Sequence, residues 1–169
     1  MKIALEYDAM LRTIRRMSHE IVEYHGNIND LIVFGIEHNG YPVAKLICES
    51  INKAENTNVP CHPLDIRKYR DDEKQADVDI PQIDVAGKSI LLVDDVIYTG
   101  RTARAALEAV FDLGRPKKIT YATLVDRGHR EMPIRPDFVG KSIPTRYDEK
   151  IIVDIENKRG IVTMPRQRQ

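Results

Sequence analysis

Apolar residues recur along the first part of the chain at two different spacings, and the change of spacing marks the elements. Met10, Ile14, Met17 and Ile21 fall three or four residues apart, with Arg12, Arg16, His19 and Glu23 roughly opposite, which predicts an amphipathic helix over residues 8–25. Gly26 and Asn27 supply its stop. The unbroken apolar run at 31–34 predicts the first core strand. A turn over 35–40 then leads to a helix starting near Pro42, where proline's missing N–H costs nothing. Val43, Leu46, Ile47 and Ile51 form the buried face of that helix. Leu64 and Ile66 suggest another strand.

Residues 90–93 read as a buried parallel strand, a helix runs on to Leu113 with Gly114 as its stop, and 119–125 is the next strand, completing a β-α-β unit. Residues 151–155 and 161–164, joined by 157–160, read as a C-terminal hairpin. Residues 70–82 are rich in Asp and Glu and nearly devoid of apolar anchors. Such a stretch buries too little surface to fix itself, so a mobile loop or exposed hairpin is expected there. Alternating strands and helices predict a single α/β domain over residues 1–169, a doubly wound, mainly parallel sheet flanked by helices. Ligands of such sheets bind at the carboxyl ends of the strands.

Bulk properties narrow the setting. A chain of 169 residues is large enough for one proper core and too small for two ordinary domains. Formal net charge is zero, so any nucleic-acid binding has to come from a local patch. No apolar run approaches a bilayer span and no signal-peptide core opens the sequence, so a cytoplasmic protein is expected. Cys48 and Cys61 lack a CxxC arrangement and are expected to be reduced thiols. The histidines show no metal-ligand spacing, and no structural zinc is expected.

The chemistry concentrates after the strand at 90–93. Two carboxylates, Asp94 and Asp95, follow it directly, and Thr99, Gly100, Arg101 and Thr102 then open an alanine-rich helix. Free amides and the positive end of the dipole at a helix start attract phosphate, and glycine lets the backbone come close. Adjacent acids suit ribose hydroxyls. Together they fit one phosphorylated sugar; taken singly, an acid pair is also a common polar turn and Thr-Gly a common cap.

The stretch 90–102 resembles the phosphoribosyl-pyrophosphate (PRPP) motif of type I phosphoribosyltransferases. A closer resemblance runs through Gly100 to Ala106, Asp112-Leu113-Gly114-Arg115-Pro116, the block Leu124-Val125-Asp126-Arg127-Gly128-His129-Arg130-Glu131 and Pro133-Ile134-Arg135. With Arg16, His19-Glu20 and Tyr69-Arg70-Asp71-Asp72, these residues resemble the PyrR family of pyrimidine-operon attenuation proteins with uracil phosphoribosyltransferase activity. The resemblance implies the type I fold and the reaction of uracil with PRPP to give UMP and pyrophosphate, assisted by Mg2+. It implies Asp94 and Asp95 as the catalytic acids, binding the ribose hydroxyls and orienting the metal indirectly. Val96, Tyr98, Thr99, Gly100, Arg101 and Thr102 would bind PRPP or UMP, joined by His38, Asn39, Gly40, Arg67 and Arg70. Val125, Asp126 and Arg127 would hold uracil, largely through backbone groups.

The family also binds a leader mRNA hairpin when UMP is present, and Arg16, His19, Arg130, Arg135 and Lys141 match positions that carry RNA binding. Tyr24 stands where arginine is common, and Arg15 where threonine is usual. Homodimers or higher homo-oligomers are implied as well. The loop after the first core strand departs from the family, which usually carries lysine, threonine and arginine before the final glycine. Here it reads Glu37-His38-Asn39-Gly40, placing a negative charge where pyrophosphate should lie and predicting weakened catalysis. Two alternatives remain open: a catalytically inactive nucleotide sensor, and a purine or other base transferase without an RNA role. The second is suggested by Pro136-Asp137-Phe138-Val139-Gly140, which resembles 6-oxopurine enzymes where an aromatic near this place stacks on the base. Arg159, Arg166 and Arg168 make the end of the chain basic, which alone says little.

Overall fold

The computed structural model describes residues 1–71 and 82–167. The acidic stretch expected to form a mobile loop or hairpin, together with Asp72 of the resemblance and Arg168, therefore lies almost wholly outside the described residues.

In chain order the elements are strand β1 (Lys2–Leu5), helix α1 (Tyr7–His25), β2 (Leu31–Ile36), helix α2 (Gly40–Glu55), β3 (Cys61–Leu64), β4 (Ser89–Ile97), helix α3 (Arg101–Leu113), and β5 (Lys118–Asp126), β6 (Phe138–Ser142), β7 (Glu149–Asp154) and β8 (Gly160–Pro165). A short 3-10 turn, Arg67–Tyr69, follows β3. Five parallel strands form the central sheet in the order β3-β2-β4-β5-β6, with the order reversing between β2 and β4. A sheet buried on both faces needs nearly continuous apolar strands, and β2 is buried at every position. Met10, Ile14, Met17 and Ile21 of α1 and Val43, Ile47 and Ile51 of α2 pack on one face, with Leu91 and Val93 beneath them. Ala105, Ala106, Ala109 and Val110 of α3 cover the other face over Ile90 and Leu92.

A second, antiparallel sheet, β1-β8-β7, contains the expected C-terminal hairpin and adds β1 to it. Its Ile161, Ile151 and Val153, with Leu5 of β1, join the α1 and α2 core. Gly160 has φ +88°, and a Cβ there would stand 2.2 Å from the Leu5 carbonyl oxygen, so the β8 start admits only glycine.

Several expected boundaries move. β2 continues through Gly35 and Ile36, and α2 starts at Gly40 rather than near Pro42, because Gly40 lies against β4: a Cβ would come within 2.6 Å of the Val93 carbonyl oxygen. β3 ends at Leu64, and Ile66 precedes the 3-10 turn instead of lying in a strand. β4 does not stop at Val93 but runs through both acids to Ile97, held by pairing of Asp94, Val96 and Ile97 with β5. Among the described residues no helix is long and apolar enough to cross a membrane. Cys48 and Cys61 are free thiols in the structure.

Candidate active site

The carboxyl ends of β2 and β4, with Tyr121 of β5, border two adjoining cavities that share Arg70, Asp94, Val96 and Thr102. The larger, about 410 Å³, is lined by Tyr98 to Thr102 and by Tyr121. The smaller, about 300 Å³, is lined by Glu37, His38, Asn39, Asp65, Arg67 and Asp95. The structure thus brings together most of the residues expected to hold a phosphorylated sugar, with the turn Thr99 to Thr102 in one cavity and Asp94 shared by both.

Asp94 is 6% exposed. One of its oxygens, Oδ1, accepts the Asp95 amide at 2.8 Å, while Asp95 Oδ1 accepts the Val96 amide at 2.7 Å. Burial pushes the Asp94 carboxyl well above the usual range, and the neighbouring Asp95 charge adds to the effect. Burial raises Asp95 too. Two carboxylates this close resist double ionisation until a cation or a hydroxyl donor compensates them. Among the described residues no group of three or more acidic, histidine or cysteine side chains is placed to hold a metal. Two adjacent acids alone do not enclose a metal ion, so a divalent ion at this pair would have to take most of its oxygens from a bound ligand.

The turn that opens α3 is held from behind. Glu131 and Met132 donate their amides to the Thr99 carbonyl at 2.8 and 3.0 Å, and Arg101 donates to the Thr99 hydroxyl at 3.3 Å. Gly100 has φ +92°, and a Cβ would meet that of Met132 at 3.1 Å, so glycine is demanded by the chain folded behind the turn as well as by close approach in front. Arg101 is spent on Asp71 and Glu131, at 2.8 and 3.0 Å. Arg70 donates to the Thr102 hydroxyl at 2.8 Å, at the junction of the cavities. Arg67 is gripped by Asp65 through Nε and Nη2 at 2.7–3.0 Å. Glu37 lines the smaller cavity with Asp65, Asp94 and Asp95, and Arg67 and Arg70 stand against these four acids.

Three side chains point elsewhere than at the ligands expected near them. Arg127, expected at the uracil, is 4% exposed and turns away from the cavities. Its Nε donates to the Thr145 hydroxyl at 2.8 Å, and Nη2 to the carbonyls of Arg146 and Glu149 at 3.1 and 2.8 Å. It staples the end of β5 to the segment leading into β7. Of its two companions, Val125 has its side chain in the core, and Asp126 accepts from Gly128 and Arg130. Arg130, expected at RNA, bends inward to the Tyr98 carbonyl at 3.0 Å and Asp126 at 2.6 Å. Phe138 cannot stack on a base from this position: it is 5% exposed in β6 and packs edge-on to Tyr24, with ring centroids 5.5 Å apart.

Arg16, His19, Arg135 and Lys141 are exposed. Arg16 donates to the carbonyl of Gly140 at 2.5 Å, next to Lys141, and pairs with Glu20 at 2.6 Å, which joins α1 to the β6 edge. Tyr121 and Arg166 are among the cavity residues that escaped the sequence reading. Tyr121 carries the one buried side-chain polar atom without a partner among the described residues. Arg166 reaches the larger cavity from beyond β8. A lone tyrosine in a strand and a basic tail carry no local signal; both depend on which elements meet.

Residues 4–156 match the Phosphoribosyl transferase domain family. The chain is 50% identical over 158 residues to the bifunctional protein PyrR of Clostridium kluyveri, covering 90% of this chain and 89% of the relative. It is 48% identical over 157 residues to that of Enterococcus faecalis, covering 89% and 88%. The hypoxanthine phosphoribosyltransferase of Trypanosoma cruzi superposes with a TM-score of 0.78 at 18% identity over 99% of this chain and 98% of the other, a likeness of fold.

Proposed function

Because this chain belongs to the Phosphoribosyl transferase domain family, and within it to the bifunctional PyrR proteins, we propose that it makes UMP and pyrophosphate from uracil and PRPP and regulates pyrimidine synthesis through a leader mRNA hairpin. The observation that carries this reading is that Asp94 and the turn Thr99 to Thr102 line one cavity at the carboxyl edge of a parallel sheet. The 5′-phosphate takes the amides of that turn, the ribose hydroxyls take Asp94 and Asp95, and the pyrophosphate occupies the compartment of His38, Asn39, Gly40 and Arg67. Arg70 spans both. Uracil lies against the end of β5, held by main-chain groups. Asp94 and Asp95 are the residues that would hold Mg2+ together with the ligand, and the ion would supply charge neutralisation for the departing pyrophosphate. Positioning and exclusion of water fall to the chain itself.

Leader RNA meets Arg16, His19 and Lys141 on the α1 and β6 edge, with Arg135 nearby, where exposed cations can contact phosphates. Arg130 is tied to Asp126 and to the Tyr98 and Ile134 carbonyls, so its part in RNA binding rests on the resemblance alone. A homodimer or higher oligomer would widen this basic face. Buried Phe138 weighs against the purine reading.

The test is incubation with Mg2+ and PRPP plus either uracil or hypoxanthine, scoring nucleotide formed, with a gel shift of a pyrimidine leader hairpin over a salt series with and without UMP. UMP formation and a UMP-dependent shift are expected. Nucleotide from hypoxanthine alone would overturn the uracil assignment, and no shift at low salt would remove the RNA role.

A further inference from the structure

Resting on the site reading above, we propose that Arg166, carried over the pocket by the segment after β8, is a phosphate-binding residue that grips the 5′-phosphate together with the turn at Thr99.

Arg166 lines the same cavity as that turn, and its guanidinium carbon stands 5.7 Å from the centre of the Tyr98 ring. Its backbone is anchored, since the Arg166 amide donates to the Asp148 carbonyl at 2.6 Å. That carbonyl belongs to the segment which Arg127 staples to β5, so the placement follows from the fold rather than from a loose end.

Charge makes the second argument. Arg101 at the same cavity is paired with two carboxylates, whereas among the described residues Arg166 makes no ion pair. Arg127 stands against the same Tyr98 ring at 4.0 Å and hydrogen-bonds only neutral oxygens. Burial lowers the Arg127 guanidinium from its usual range, and Arg166 adds to the fall while Tyr98 and Glu149 oppose it. Two guanidinium groups share one aromatic ring, and neither is ion-paired among the described residues, so the pocket wall there carries positive charge that a phosphate would compensate. The ring itself favours cations over its face. An arginine suits the task because its planar fork can meet two phosphate oxygens at once.

The experiment compares wild type with Arg166→Gln and Arg166→Lys, titrating UMP by calorimetry and uridine by NMR, and recording thermal melts without ligand. For Arg166→Gln, UMP affinity is expected to fall about tenfold, the size of a charge-assisted hydrogen bond, with uridine affinity and melting temperature unchanged. Arg166→Lys should recover part of the loss. Unchanged UMP affinity in Arg166→Gln overturns the proposal while leaving the site reading intact. Equal losses for UMP and uridine overturn it too, because the effect would not then belong to the phosphate. A wild-type protein that holds no UMP overturns the site reading and the proposal with it.

Discussion

The Arg130 guanidinium holds the Asp126 carboxylate at 2.6 Å while donating to the Tyr98 and Ile134 carbonyls at 3.0 and 2.9 Å. One side chain thus ties the end of β5 to the residue that begins the phosphate turn. Burial pushes the Asp126 carboxyl up, but Arg130 and the Gly128 amide together outweigh it and hold the group below its usual range. Arg130→Ala is expected to cost about 2 kcal/mol, because a half-buried acid and two carbonyls lose their donor. UMP affinity should fall with it. A group with a depressed folded pKa stabilises above its unfolded value near 4 and loses that contribution as pH falls through the folded value. The gap between wild type and variant in thermal melts should therefore narrow on the acid side. Lys141→Ala is the contrast, lowering RNA affinity with UMP binding unchanged.

Asp94 leads to the opposite pH dependence. Its folded pKa is raised, so the folded state keeps a proton that the unfolded chain releases, and stability drains away as pH rises from about 4 toward the raised value. Asp94→Asn should melt higher than wild type at pH 7, by about 1–3 kcal/mol in stability, with the difference vanishing below pH 4. PRPP binding with Mg2+ should be lost in the same variant. Wild type should release protons when that ligand binds, measurable by calorimetry in buffers of different ionisation enthalpy. An Asp94→Asn protein no more stable at pH 7 than at pH 4, relative to wild type, would contradict the burial argument.

Glu37 shares its compartment with Asp65, Asp94 and Asp95. Replacing it by lysine removes one repulsion and adds one attraction for pyrophosphate, each on the order of 1 kcal/mol at close range in water. The KM for PRPP should fall roughly fivefold or more in Glu37→Lys. A KM no lower than wild type would show that this carboxylate does not limit donor binding.

Tyr121 is 7% exposed with a hydroxyl that has no partner. A buried hydroxyl left unpaired costs about 1–3 kcal/mol. Tyr121→Phe keeps the ring packed among the α3-facing core and should raise the melting temperature of the free protein. A lower melting temperature would mean that the hydroxyl is satisfied.

What could be read from sequence, and what could not, divides along physical lines. The α1 stripe, the acid pair and the Gly114 stop each arise from neighbours within a turn or two, and the elements stand where the spacing placed them. Boundaries set by distant contacts moved: β4 runs past Asp95 because β5 pairs with it, and α2 starts at Gly40 because only glycine fits against Val93. β1 and β6 are short, and their pairing partners lie far off in the chain or across a crossover, so no local periodicity announces them. Side-chain roles were harder still. Arg127 and Arg130 are close in sequence, yet one turns to the Thr145 hydroxyl and the other to Tyr98, a choice made by packing across the two sheets.

The pairing of β1 with β8 has a consequence for synthesis on the ribosome. Lys2 and Ile3 are translated long before their partners Thr163 and Val162. The five-stranded sheet can form from residues already made, whereas the smaller sheet, and the arm that carries Arg166 with it, must wait. Nascent chains stalled before residue 160 should accordingly hold a folded nucleotide platform with an unfinished cover.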